Sequence, residues 1–183
     1  LLSILFGTAK ARTGEVSFPD KKGLPRSPTQ AARRGVCLVP ADRRRNGLML
    51  EKSILFNISQ VFVGARAGGS WLFRTGPAYA RAQRQIDNLK IKARSPWTLA
   101  NQLSGGNQQK VVIGKWLEVG PKVFLLDDPT RGVDVGAKRE IYTLIRRMSA
   151  DGGIVLFSST ELPELVGLCD RVTVMRDGDK VLD

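Results

Sequence analysis

The sequence predicts an α/β fold: a mostly parallel sheet covered by helices on both faces, with a helical segment inserted into it. Three observations predict it. Residues 36–39 (VCLV), 123–126 (VFLL) and 154–157 (IVLF) are continuous apolar runs without alternation, the pattern of strands buried on both faces. Helical patterns separate these runs, as the crossovers of a parallel sheet require. Between Ser53 and Gly120 the texture changes to helices without good strands, so an insertion splits the core into two sequence segments.

In chain order, residues 1–7 (LLSILFG) read as the second half of a buried helix ended by a glycine C-cap. The apolar face is already running at Leu1 with no capping residue before it, so further residues are expected upstream. Residues 13–20 alternate polar and apolar and end in a turn, which predicts a short edge strand. Ser27 as N-cap, Pro28 at the first helical position and Gly35 past the end predict a two-turn helix. The strand at 36–39 is closed by Pro40. A long basic helix is expected over 77–92. Another covers 107–118, with Val112, Ile113, Trp116 and Leu117 on one stripe. After the strand at 123–126, residues 136–148 place Ile141, Leu144, Ile145 and Met148 at i, i+3, i+4 and i+7. The strand at 154–157 leads to a short helix at 163–168. Residues 171–175 and 180–182 flank an Asp177-Gly178 turn, predicting a terminal hairpin.

Bulk properties narrow the function classes. A chain of 183 residues with 42% apolar and 25% charged residues is one globular domain. No apolar run approaches the ~20 residues of a membrane span, and the N-terminal residues lack the features of a signal peptide. Cys37 and Cys169 form no CxxC or metal spacing, as in a cytoplasmic domain with two inert thiols. Histidine is absent, which removes every mechanism that needs an imidazole base, ligand or switch. The net charge is +12, concentrated partly in Arg33-Arg34, Arg43-Arg44-Arg45 and Arg146-Arg147. These clusters lie in loops and helix ends without interleaved aromatics for base stacking, so no nucleic-acid partner is expected.

Three stretches carry chemistry. In LSGGNQQ (residues 103–109), Gly105 and Gly106 open a helix and let backbone N–H groups approach an anion, with Ser104 adding a hydroxyl. A plain serine N-cap is the alternative, although one glycine would suffice for it. In VFLLDDP (residues 123–129), an apolar strand runs into two carboxylates at the carboxyl edge of the sheet, where α/β proteins bind ligands. Asp127 suits a Mg²⁺ beside nucleotide phosphates, and Asp128 is placed to orient or deprotonate a water. In TRGVD (residues 130–134), Asp134 precedes a helix and reads equally as its N-cap.

The order LSGGNQQK, VFLLDDPTRGVDVGAK, SSTELPEL resembles the ATP-binding cassette family. It is most similar to the second cassette of the tandem ATPase subunits of bacterial monosaccharide importers of the ribose, xylose and galactose type. The resemblance implies one incomplete nucleotide-binding domain over 1–183. Its α/β core lies in 1–50 and 121–183, and its helical subdomain in 51–120 ends in the signature helix. It implies ATP and Mg²⁺ as cofactors. Ser104, Gly105, Gly106 and Gln108 would contact nucleotide held by the opposite cassette, and Asp127 would be the Walker B metal ligand. Asp128 would be catalytic, and Asp134 would lie in the D-loop at the cassette interface. Implied partners are a second cassette, in the same chain or another, and transmembrane permease subunits, with a periplasmic sugar-binding protein acting indirectly. The implied location is the cytoplasmic face of the bacterial plasma membrane.

Departures from the family pattern qualify the activity. No GxxxxGK[ST] sequence occurs in the 183 residues, and the expected phosphate loop would precede Leu1. Asp128 stands at the catalytic glutamate position, Thr160 at the switch-histidine position and Ala41 at the Q-loop position, within a segment (residues 39–47) that faces the membrane subunit in the family. The expectation is an asymmetric ATPase pair in which this cassette supplies the signature and its own hydrolytic site is degenerate. The alternative is a catalytically silent cassette acting only as an interaction module.

Overall fold

The computed structural model describes residues 1–18, 21–65, 74–177 and 179–182. Helix α1 (Leu2–Leu5) is short and ends before Gly7, whose φ of +78° is the left-handed conformation that a glycine stop requires. The helix itself buries no residue. Phe6 just beyond it is buried instead and meets Trp116 edge-on, with ring centroids 5.6 Å apart. Strands β1 (Ser17–Phe18) and β2 (Lys21–Lys22) pair antiparallel. The strand expected over 13–20 is thus reduced to two residues, because Gly14 at φ +107° leaves the extended region; Pro19 and Asp20 lie outside the described residues.

Helix α2 (Pro28–Arg33) starts as its sequence dictates, with Ser27 Oγ accepting from the Gln30 amide at 3.2 Å. Strand β3 (Val36–Val39) follows. After it comes a feature that the sequence reading lacks, a π-turn (Arg43–Gly47) capped by Asp42, whose carboxylate accepts from the amides of Arg44 and Arg45. The middle of the chain is helical as expected, with α3 (Ile54–Ala65), α4 (Thr75–Asn88), a 3₁₀ turn (Ala100–Gln102) and α5 (Gly105–Leu117). Helix α4 stops short of Lys92, since Lys90 adopts φ +50°.

The sheet continues with β4 (Val123–Asp127), α6 (Val135–Ala150) and β5 (Ile154–Ser158), followed by α7 (Leu162–Leu168). Strand order is β3-β4-β5, all parallel, with Val36 opposite Val123, Val123 opposite Ile154 and Asp127 opposite Ser158. Strands β6 (Val174–Arg176) and β7 (Asp179–Leu182) form the predicted antiparallel hairpin; Gly178 lies outside the described residues.

The core lies on β4, whose Leu125 and Leu126 are buried, and continues through Val111, Val112, Ile113, Ile141 and Ile145. Burying each such side chain contributes about 1.5–3 kcal/mol. Helix α5 is buried around most of its circumference, as a central helix must be. It packs against α3 and α4 on one side and against β3, the π-turn and α6 on the other, so it joins the inserted helices to the sheet. Among the described residues no helix is long and apolar enough to cross a membrane.

Candidate functional site

The site starts where β4 runs out. Asp127 is its last residue, and Asp128 turns the chain at φ +44°, a conformation unusual for a non-glycine residue. The Asp128 amide donates to the Ser158 carbonyl at 2.8 Å, which ties the turn to the end of β5. Residues 128–133 then fold back on themselves. Arg131 N donates to Asp128 O at 3.1 Å, Val133 N to Thr130 O at 3.2 Å, and Gly132 takes φ +64°. Burial pushes the Asp128 carboxyl above its ordinary range, with the nearby negative charge of Glu164 adding to the shift. The Asp127 carboxylate is half-buried and takes part in no hydrogen bond or ion pair among the described residues. No group of three or more His, Cys, Asp or Glu placed to hold a metal ion exists among the described residues.

Glu164 organises this edge from behind. It is 5% exposed, yet four side chains donate to it: Thr130 Oγ1 at 2.8 Å, Tyr142 OH at 2.7 Å, Lys138 Nζ at 3.1 Å and Ser159 Oγ at 2.6 Å. Burial alone would raise its pKa. The bonds from Ser159, Tyr142, Thr130 and Lys138 outweigh that and hold it at about 2. The turn after β4, helix α6 and the loop after β5 thereby meet on one carboxylate.

A second surface is built at the start of α5. Ser104 is exposed and occupies the N-cap position without bonding a backbone amide; its Oγ accepts from Asn107 Nδ2 at 2.9 Å. Its hydroxyl is thus not consumed by capping. The two glycines after it each answer to a neighbour in this chain. A Cβ on Gly105 would fall 2.7 Å from Arg43 Nη2, and one on Gly106 would fall 2.3 Å from Ala137 Cβ. Arg43 itself reaches from the π-turn to the carbonyls of Arg131 (2.7 Å) and Gly132 (3.0 Å), and its partial burial lowers its pKa.

Asp134 caps α6, its Oδ1 accepting from the Ala137 amide at 2.9 Å, while the residue remains exposed. Gln108 is placed elsewhere. It is 4% exposed and its Nε2 donates to the Ala100 carbonyl at 3.1 Å, so it fixes the 3₁₀ turn and does not reach this surface. Between the first turns of α5 and α6 lies a cavity of about 200 Å³, lined by Lys92, Ser104, Asn107, Lys110, Asp134 and Glu140 among others. Lys110 is ion-paired with Glu140 and donates to the Lys90 carbonyl at 3.0 Å. The lining includes neither Asp127 nor Asp128, so the glycine turn and the sheet-edge carboxylates serve different parts of the surface. Further along α5, burial lowers the Lys115 ammonium to about 8; it donates to the Gly47 carbonyl at the end of the π-turn.

The structure thus brings Ser104, Gly105, Gly106 and Asp134 to one surface and Asp127 with Asp128 to another. Arg43 and Glu164 were missed by sequence reasoning. Arg43 stands in a run of three basic loop residues, and Glu164 lies in the SSTELPEL stretch with nothing in that stretch to mark it as a buried anchor.

Comparison with known proteins places the chain. The sequence profile of the family described as "ABC transporter" matches residues 1–131. Ribose import ATP-binding protein RbsA of Halalkalibacterium halodurans is 42% identical over 178 residues, 97% of this chain and 36% of that protein. Arabinose import ATP-binding protein AraG of Pectobacterium atrosepticum is 43% identical over 97% of this chain and 35% of its own length. The galactose/methyl galactoside import ATP-binding protein MglA of Treponema pallidum is 42% identical over 96% of this chain. The chain therefore spans about a third of the length of these relatives. Among solved structures, a nucleotide-free ATP-binding cassette from an ABC transporter superposes with a TM-score of 0.82 at 23% identity, over 98% of this chain and 72% of that one; this likeness bears on the fold.

Proposed function

The chain belongs to the ABC transporter family, and from that premise we propose that it is ATP-binding machinery of a bacterial monosaccharide importer. It lends residues 104–106 to ATP held mainly by a second cassette. The observation that supports this most is the exposed Ser104, whose hydroxyl is not spent on capping, in a chain 42% identical over nearly its whole length to a ribose import ATP-binding protein. A helix start whose serine is not spent on capping leaves its hydroxyl and backbone N–H groups available to a phosphate.

In this reading Asp127 would hold the Mg²⁺ that neutralises the nucleotide phosphates, and Asp128 would stand at the water-orienting position. One feature argues for a weak site there: the side chain at 128 is an aspartate, one methylene shorter than the glutamate of the family pattern, which draws the carboxylate back from a water that must be aligned. Residues 51–120 act as a helical subdomain against the transmembrane permease subunits, with 1–50 and 121–183 as the α/β core. The cassette works at the cytoplasmic membrane face, and a periplasmic sugar-binding protein delivers substrate.

The test is ATP hydrolysis by the assembled transporter carrying Ser104→Arg or Asp128→Asn. Ser104→Arg is expected to abolish most turnover, and Asp128→Asn to leave at least half of it. The reverse pattern would reject the asymmetric assignment. A second reading is a silent cassette that only binds partners, with Asp128, Thr160 and Ala41 standing where the family pattern has other residues. It predicts that neither substitution changes turnover.

A further inference from the structure

Arg43 bridges three segments that lie far apart in sequence. Its guanidinium fork donates to two successive carbonyls, those of Arg131 and Gly132, 88 and 89 residues away. Those carbonyls converge because the turn is closed internally by the Arg131 N–Asp128 O and Val133 N–Thr130 O bonds, with Gly132 in the left-handed region. A planar fork matches two neighbouring oxygens, whereas a lysine ammonium would reach them as a single point charge. The same Nη2 lies against the space in front of Gly105, where a Cβ would come within 2.7 Å of it. Arg43 also belongs to the π-turn, whose far end is held to α5 by the Lys115–Gly47 bond and whose start is capped by Asp42. A rare π-turn, anchored at one end to the helix that begins with the signature and at the other to the turn before Asp134, is built to transmit displacement.

We propose that Arg43 is a positioning residue that locks residues 130–134 to the signature turn and to the segment after β3, so that the three move as one body. It touches no nucleotide in this account. Its effect is to hold the signature hydroxyl and the D-loop turn in fixed relation while the segment after β3 is pushed or pulled. The inference rests on the reading of the chain as a transporter ATPase. A carbonyl pair released from Arg43 would let either turn drift by the fraction of an ångström to which aligned chemistry is sensitive.

The experiment is steady-state ATP hydrolysis by the full-length subunit assembled with its membrane partners, comparing wild type, Arg43→Lys and Arg43→Gln. Both variants are expected to lose about tenfold or more in kcat, with KM for ATP within about twofold. In Arg43→Gln, the added harm of Gly105→Ala should shrink, because the guanidinium that crowds position 105 is gone. Wild-type kcat in Arg43→Lys, or a raised KM at unchanged kcat, would overturn the proposal. Wild-type assemblies that hydrolyse no ATP would defeat the functional reading instead. Amide hydrogen exchange at Arg131 and Val133 in the full-length subunit then decides separately. Faster exchange in Arg43→Gln supports the lock, and unchanged exchange overturns it.

Discussion

Thr130 donates its hydroxyl to both carboxylate oxygens of Glu164, at 2.8 and 2.9 Å, joining the turn after β4 to the short helix after β5 across 34 residues of sequence. The pair is the centre of a wider cluster in which Ser159, Tyr142 and Lys138 also face Glu164. A carboxylate this buried is stable only because each donor compensates for lost water.

Removing the carboxylate leaves those donors unpaired. Glu164→Ala is expected to destabilise the fold by about 3 kcal/mol, measured by urea unfolding at neutral pH. The pH dependence has a fixed sign. The folded carboxyl titrates at about 2 against an ordinary 4.5, so its contribution is fully present above 4.5 and fades as pH falls toward 2. The stability gap between wild type and Glu164→Gln should narrow over that window. A gap that stays constant from pH 6 to pH 3 would contradict the assignment.

Gly106 makes a prediction of opposite sign to helix propensity. Replacing a helical glycine by alanine normally stabilises by roughly 0.5–1 kcal/mol. Here the new methyl would lie 2.3 Å from Ala137 Cβ, so Gly106→Ala should destabilise by about 1–3 kcal/mol. Pairing it with Ala137→Gly should recover most of the loss in thermal unfolding. No recovery would mean that the two helices are not in contact at this point.

Lys115 should leave its own pH signature. Burial lowers its folded pKa to about 8 from an ordinary 10.5, so between those values the unfolded chain binds more protons than the folded one. Stability attributable to this group therefore rises as pH increases from about 8 to 10.5. Denaturant midpoints of wild type should rise over that range relative to Lys115→Met; parallel profiles would count against the buried ammonium.

Much of this was legible in the sequence because the signals were local. The apolar runs at 36–39, 123–126 and 154–157 are the three parallel strands, and Ser27-Pro28 states where α2 begins. The expected burial on both faces holds for β3 and β4 but not for β5, which ends the strand order and leaves Ile154 50% exposed. The carboxylates at 127 and 128 follow from a strand running into acidic residues. What escaped was set by contacts between distant segments. Arg43 stands in a run of three arginines, and only the folded turn at 131–132 distinguishes it from its neighbours. Glu164 follows Pro163 in a helix too short to announce a buried face. The two glycines at 105 and 106 pointed to an anion by their pattern, while their packing against Arg43 and Ala137 needed coordinates. Gln108 sits in the same LSGGNQQ stretch, and only the fold shows its Nε2 turned inward to donate to the Ala100 carbonyl.

On the function proposed above, this cassette would complete an ATP site held by another and contribute little hydrolysis of its own. The most direct test counts ADP formed in a single turnover by the assembled transporter under saturating ATP. The account predicts one ADP per pair of cassettes, unchanged by Asp128→Asn. Two ADP per pair, falling to one in that variant, would contradict it.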